Sequence, residues 1–209
     1  NQINPHFTLN ILNSIGTLFM KKDHEKAEFV FDKYSKLLKS TVLGSGDFTT
    51  TLNSEVKYID NYLKLEQFRS DNKFGYNIDT SKDVDMDTII PKMLIHTFVE
   101  NSIKHGIRHL ENKGHLSISI TNSETDIKVE IHDNGIGRKK AAEYSKYSTG
   151  RGLKILDQMI AFYKDEKKVK INYEITDLYN SKQEAVGTKV RIMIPLHKNK
   201  SNRLFTKTP

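Results

Sequence analysis

The 209-residue chain contains no cysteine. That absence removes disulfide frameworks, thiolate metal sites and cysteine nucleophiles together. No run approaches the ~18 uncharged apolar residues that a helix needs to cross a bilayer, so no segment reads as a membrane span. No charged n-region, apolar h-region and small-residue cleavage site opens the chain, so its first residues do not read as a signal peptide. Acidic residues are missing from one end altogether: residues 196–209 carry Lys198, Lys200, Arg203 and Lys207 and neither Asp nor Glu. Internal repeats and low-complexity segments are lacking too. The start at Asn1 rather than Met predicts a piece of a longer protein, with upstream segments, membrane spans among them, outside it.

What charge there is sits unevenly. The net charge is +7. Beyond the basic end, residues 138–154 hold Arg138, Lys139, Lys140, Lys146, Arg151 and Lys154 against Glu143 alone, which leaves the rest slightly acidic. A nucleic-acid reader spreads basic charge over one face with polar and aromatic readers between. Here one cluster is a polar tail, expected to be a solvated, disordered end over 197–209, and the other lies in a glycine-rich stretch. The sequence therefore predicts no nucleic-acid partner.

Hydrophobic periodicity supplies the organisation. Phe7, Ile11, Ile15 and Phe19 recur every fourth residue, as one stripe of a helix does. After a polar break at 21–25, Val30, Tyr34, Leu37 and Thr41 form a second stripe, widened by Phe31, Leu38 and Val42, and Gly44-Ser45-Gly46 ends it. Two such helices make a hairpin over residues 1–46. A lone hairpin buries both stripes poorly, so a second copy of itself is expected to cover it in preference to the rest of its own chain. A third helix is predicted over 53–69. Pro91 suits the first turn of a fourth, which would end near Gly106. Alternating runs at 74–78, 116–120, 127–131, 169–175 and 190–194 read as strands, with a helix over 152–163 between the third and fourth. The whole is an α+β fold: a helical hairpin, then over 47–196 a sheet with helices on one face.

Three glycine-bearing segments stand out: Glu100-Asn101-Ser102-Ile103-Lys104-His105-Gly106 closing an apolar helix, Asp133-Asn134-Gly135-Ile136-Gly137 directly after a strand, and Gly150-Arg151-Gly152-Leu153 opening a helix. Each alone is weak, because turns use these residues everywhere. Together they suggest phosphate binding. Glycines let backbone approach a phosphate, and the following helix N-terminus offers it free N–H groups. The basic stretch 138–154 would then lie beside the phosphates.

These three segments, followed by Gly187-Thr188, resemble the N, G1, G2 and G3 boxes of the GHKL ATP-binding fold, a Bergerat-type α/β sandwich with a mixed sheet. The opening Asn1-Gln2-Ile3-Asn4-Pro5-His6-Phe7-Thr8-Leu9-Asn10-Ile11-Leu12-Asn13-Ser14-Ile15 resembles the phosphoacceptor box of LytS-type sensor histidine kinases. Tyr62-Leu63-Lys64-Leu65-Glu66-Gln67-Phe68-Arg69 resembles their connecting helix. The likeness runs from residue 1 to about 195. It departs at Thr8-Leu9, where the family usually shows Leu-Phe.

The resemblance implies a set of roles. His6 would be the phosphorylated residue, its neutral imidazole being nucleophilic near pH 7, and Asn10, one turn on, would orient it. Glu100 would be the base. Asn101 would bind Mg²⁺ through its amide oxygen, and Lys104 and His105 would line the phosphates. Asp133 would accept a hydrogen bond from the adenine amino group, with Thr188 helping through water. Gly135 and Gly137 would let the loop pass close to the nucleotide. Gly150, Arg151, Gly152 and Leu153 would flank the triphosphate behind a mobile lid over 138–149. Hydrolytic relatives place a glutamate four positions before the asparagine. Thr97 stands there instead, which argues for transfer to a held acceptor. His105, His109 and His115 could suggest zinc, yet no thiolate helps and the N box already accounts for His105, so zinc is not expected.

Taken together, the resemblance implies a Mg-ATP-dependent protein-histidine kinase. It would be the cytoplasmic portion of a bacterial inner-membrane protein, a homodimer with its hairpin truncated at the N-terminal end. Its phosphoryl group would pass to an aspartate of a response regulator of the LytR type. The alternative is a degenerate ATP-binding dimer scaffold without turnover.

Overall fold

The computed structural model describes the backbone of residues 5–43, 47–144 and 151–196, and side chains within 7–40, 47–144 and 152–196. The expected tail at 197–209, Gly150 and the side chains of His6 and Arg151 lie outside the described residues. No described helix is long and apolar enough to cross a membrane.

α1 (Pro5–Met20) starts with proline in its first turn, where the missing N–H costs nothing. Lys22, in a left-handed conformation at φ 59°, turns the chain into α2 (His24–Leu43). Ile11 and Ile15 of α1 and Val30, Tyr34 and Leu37 of α2 are buried. They pack against α3 (Leu52–Arg69), capped at its start by Thr51 Oγ1, which accepts the Ser54 N–H at 3.1 Å. Phe7 joins this contact, 6.4 Å from the Tyr34 ring and 6.0 Å from the Tyr62 ring. The chain's own third helix thus covers the stripe that was expected to need a second copy. Phe19, Phe31 and Leu38, which the spacing placed with the stripes, are exposed instead, as are Leu9 and Leu12.

A five-stranded mixed sheet follows. β2 (Phe74–Thr80) runs parallel to β4 (Gly114–Asn122); β5 (Asp126–Asp133), β7 (Ala185–Pro195) and β6 (Asn172–Tyr179) continue it antiparallel, in the order β2-β4-β5-β7-β6. Leu116, Ile118 and Ile120 of β4, Ile127, Val129 and Ile131 of β5, and Val190, Ile192 and Ile194 of β7 form the buried face. α3, α4 (Leu94–Asn101) and α6 (Arg151–Lys167) lie on that face. Tyrosine hydroxyls pin two of them: Tyr76 donates to Asp60 of α3 at 2.8 Å and Tyr173 donates to Asp157 of α6 at 2.7 Å. The opposite face is polar and charged, with Lys128, Lys189 and Arg191 around Glu130, whose carboxyl they hold near 2.

Four local expectations change. Pro91 does not open a helix; it ends a short strand β3 (Ile89–Pro91) paired antiparallel with β1 (Thr49–Thr51). The helix begins only after Met93, which takes φ 64°. It does not run unbroken to Gly106 but widens into a π turn, Ser102–Gly106, and a 3-10 turn, Ile107–His109. The expected lid opens as a helix, α5 (Gly137–Tyr144), and β6 starts at Asn172, so Val169 and Ile171 are buried ahead of the strand.

Candidate functional site

β5 places a carboxylate where the alternation calls for an apolar side chain. Ile127, Val129, Ile131 and Asp133 point to the same face, and Asp133 is buried with 1% exposure. A buried carboxylate needs donors. Asp133 Oδ2 accepts from Ser102 Oγ at 2.7 Å and from the Thr188 hydroxyl, and Oδ1 accepts the Gly135 N–H at 2.9 Å. Thr188 reaches it because β7 pairs with β5 in the register Asp133↔Thr188. Ser102 reaches it from the π turn. Such turns are rare and mark functional sites in helices.

The glycines pack against protein. A Cβ on Gly135 would lie 2.5 Å from Gly106 Cα, and one on Gly187 would lie 1.9 Å from the Asp133 carbonyl oxygen. Gly137, at φ 75°, faces Ala185. The loop after β5 thus folds onto the π turn and the start of β7. The sequence reading gave Gly135 and Gly137 to the approach of a nucleotide; the structure shows them first closing the protein's own backbone around Asp133.

α4 and the π turn carry the remaining polar groups. Asn101 is half-buried at the end of α4. Lys104 Nζ is ion-paired with Glu100 one turn before it, both about one-third exposed. Burial raises the Glu100 carboxyl, but the charges of His96, Lys104 and His105 outweigh it, and the net displacement is downward. His105 is half-buried, and burial with the neighbouring Lys104 and His109 lowers its pKa. Thr97, one turn before Asn101, donates its hydroxyl to Met93 O at 2.6 Å. A Cβ on Gly152 would meet Thr97 at 3.9 Å, so the start of α6, with Gly152 exposed and Leu153 half-buried, comes up beside α4. Arg151 is the first residue of that helix. Segments far apart in sequence, around 97–106, 133–137, 152 and 187–188, therefore share one place.

Other residues that the sequence singled out have contacts of their own. His6 lies in the first turn of α1, with Asn10 half-buried one turn on. Arg138 was grouped with the phosphate side, but it makes a two-pronged ion pair with Asp177 of β6, at 2.8 Å to each oxygen. His109 stacks on Tyr144 at 4.9 Å and His115 bonds Asn77 at 2.9 Å. The sequence reading missed two buried groups. Glu55 of α3 accepts three backbone N–H groups at the start of α4, and burial pushes its carboxyl up to about 7. His96 is fully buried between the Tyr58 and Tyr62 rings, with neither ring nitrogen hydrogen-bonded, and burial pushes it down to about 4. A glutamate and a histidine on otherwise apolar helix faces were the only signals available.

Comparison with known proteins matches residues 87–198 to the family described as histidine kinase-, DNA gyrase B-, and HSP90-like ATPase. The chain belongs to that family. Residues 1–74 match the histidine kinase family. Among curated relatives, the sensor protein LytS of Staphylococcus haemolyticus is 30% identical over 208 residues, 94% of this chain and 33% of its own length. That of Staphylococcus epidermidis is 35% identical over 138 residues, 65% of this chain and 23% of its own. The chain spans only a quarter to a third of the length of these relatives. Among solved structures, the histidine kinase domain of a blue-light activated kinase from Erythrobacter litoralis superposes with a TM-score of 0.49 at 14% identity, covering 85% of this chain and 84% of that one. The segment that resembles the N box forms α4 with its π turn, the one that resembles the G1 box closes β5, and Gly187-Thr188 lies near the start of β7.

Proposed function

We propose that this chain is the kinase portion of a sensor protein-histidine kinase, which uses ATP with Mg²⁺ to phosphorylate His6 and passes the phosphoryl group to an aspartate of a response regulator of the LytR type. Residues 1–46 would be the phosphoacceptor hairpin, 47–196 the ATP-binding unit and 197–209 a tail. The observation that carries the reading is the gathering of the N, G1 and G3 boxes around the buried Asp133 carboxylate, with Gly152 beside Thr97 of the N-box helix.

In this reading Asp133 selects adenine, its oxygens fixed by Ser102, Thr188 and the Gly135 N–H. Lys104 and the N-terminus of α6, with Arg151, Gly152 and Leu153 after Gly150, neutralise and orient the phosphates, with His105 alongside. Asn101 fits Mg²⁺ chemically: its amide oxygen is a hard donor, half-buried between Glu100 and the π turn. The ion, when bound, supplies charge neutralisation at the phosphates. A ring nitrogen of His6 attacks the γ-phosphorus, an N–P bond forms, and the P–O bond to ADP breaks with its electron pair leaving on ADP. Glu100 takes the proton from the other ring nitrogen once Lys104 has turned from it to the phosphates, and Asn10 orients the imidazole. The exposed row Leu9, Leu12, Phe19, Phe31 and Leu38 supports a homodimer through the hairpin. Anchorage in a bacterial inner membrane, with this portion on the cytoplasmic side, would come through segments outside the chain.

The test is incubation with γ-labelled ATP and Mg²⁺, with the unaltered chain beside His6→Gln and Asn101→Ala. Acid-labile label on the former, missing from both variants, is expected. ATP binding without label, on this chain and on one extended at its N-terminal end, would replace the kinase by a nucleotide-binding scaffold. The Glu100–Lys104 pair favours that second reading, because it leaves the base neutralised in the nucleotide-free protein.

A further inference from the structure

The N-box helix has no N-terminal cap of its own. Met93, at its N-cap, offers no side-chain hydrogen bond and sits in the left-handed region at φ 64°. The first N–H groups of any helix need acceptors. Here a single carboxylate from another helix supplies them. Glu55, 3% exposed in the first turn of α3, accepts the Met93 N–H on Oε2 at 3.0 Å and the Ile95 and His96 N–H groups on Oε1 at 3.1 and 3.2 Å. Glu55 thus accepts three N–H groups at the helix start, and its carboxylate faces the positive end of the helix dipole. α4 is only eight residues long and ends on Asn101, so a tilt or slide at its start is passed directly to Glu100, Asn101 and the π turn with Lys104.

The other end of α3 reaches the acceptor hairpin. Arg69, in its last turn, lies over the Phe7 ring, 5.4 Å from its centroid, and Phe7 follows His6 in sequence. One rigid rod is therefore in contact with the start of the N-box helix through Glu55 and with the start of the acceptor helix through Arg69.

We propose that Glu55 is the positioning residue of the nucleotide site: by capping α4 from α3 it sets the height and rotation at which Asn101 and Lys104 meet the nucleotide. It touches neither substrate nor reacting atom, and its effect passes through α4. The proposal deepens the kinase reading and rests on it for the identity of the ligand. It assigns α3 a second task besides connecting, namely holding both reactants to a common reference.

The experiment compares the unaltered chain with Glu55→Gln, Glu55→Asp and Ile59→Val. Glu55→Gln keeps the shape and loses the charge and one acceptor oxygen. Ile59→Val trims the same helix in its buried core without touching the cap. Fluorescent Mg-ADP binding is measured at a temperature where circular dichroism shows every variant folded. Glu55→Gln is expected to weaken binding about fivefold or more, as loss of a helix cap would, with Glu55→Asp intermediate and Ile59→Val unchanged. Amide hydrogen exchange is read in parallel without nucleotide. Residues 101–106 should exchange faster in Glu55→Gln and not in Ile59→Val. Binding by Glu55→Gln equal to that of the unaltered chain would overturn the proposal, as would equal exchange rates. If the unaltered chain binds no adenine nucleotide, the kinase reading falls, and the exchange comparison alone then decides whether Glu55 positions the helix.

Discussion

Replacing His96 with Phe should make the protein gain stability, relative to the unaltered chain, as the pH falls from about 7.5 to about 5. The reason lies at one peptide. Glu55 accepts the His96 N–H, and the His96 ring is buried between Tyr58 and Tyr62. Burial pushes the carboxyl from 4.5 up to about 7 and the imidazole from 6.5 down to about 4. The folded state holds the Glu55 proton more tightly than the unfolded chain does. That contribution is complete below the unfolded value of 4.5 and is lost as the pH rises through about 7. His96 behaves inversely: its contribution is complete above 6.5 and is lost as the pH falls toward about 4. At ~1.36 kcal/mol per pK difference, acidification over this window costs roughly 2 kcal/mol through His96 and restores roughly 2 kcal/mol through Glu55. In the unaltered chain the two nearly cancel. His96→Phe keeps a ring between the tyrosines and leaves Glu55 uncompensated, so it should gain about 2 kcal/mol on acidification relative to the unaltered chain. Glu55→Gln should lose a similar amount. Urea unfolding followed by circular dichroism at both pH values, at matched ionic strength, measures this directly. If both variants keep the same pH profile as the unaltered chain, the opposed pair is not there.

Two substitutions separate the glycines that close the backbone from those that meet a ligand. Gly135→Ala would drive a methyl to 2.5 Å from Gly106 Cα, so a loss of about 3 kcal/mol or more in unfolding free energy is expected, with nucleotide binding lost as well. Gly152→Ala has only Thr97 at 3.9 Å; its melting temperature should hold or rise while Mg-ADP affinity falls, and unchanged affinity would remove Gly152 from the phosphate site. Phe31→Asp, on the exposed side of α2 at 60% exposure, should leave the melting curve in place and shift sedimentation toward the monomer.

Much of the fold could be read because its strands and helices obey their periods. Ile127, Val129 and Ile131 alternate, and that same phase puts Asp133 inward. What alternation along one strand does not tell is which strand lies alongside. The register Asp133↔Thr188 is a long-range pairing, and it raises Thr188 from an ordinary strand threonine to a partner of the buried carboxylate. The N box was legible as a motif, but its π turn was not, since Ser102–Gly106 carries no local signal for a wider turn and takes that shape through contact with Asp133 and Gly135. Pro91 was misread because a proline that opens a helix and one that ends an edge strand share the same φ. Arg138 was misassigned because net charge along the sequence says nothing of the partner Asp177, which comes from a strand 39 residues on. Glu55 and His96 escaped notice because lone polar residues on helices usually face solvent.

The pairing of β5 with β7 also has a kinetic meaning. Asp133 finds Thr188 across 55 residues, with α5, α6 and β6 lying between them in sequence. Contacts of such separation form late, because the loop they close must first be ordered. A chain caught before β7 has entered the sheet would have the hairpin, α3 and the strands β2, β4 and β5 in place, yet Asp133 would lack its threonine and Gly187 would not yet enclose its carbonyl. Under the proposed function, adenine-nucleotide binding would thus report on completed folding. A nucleotide that binds only the finished sheet draws the last step of folding forward by mass action.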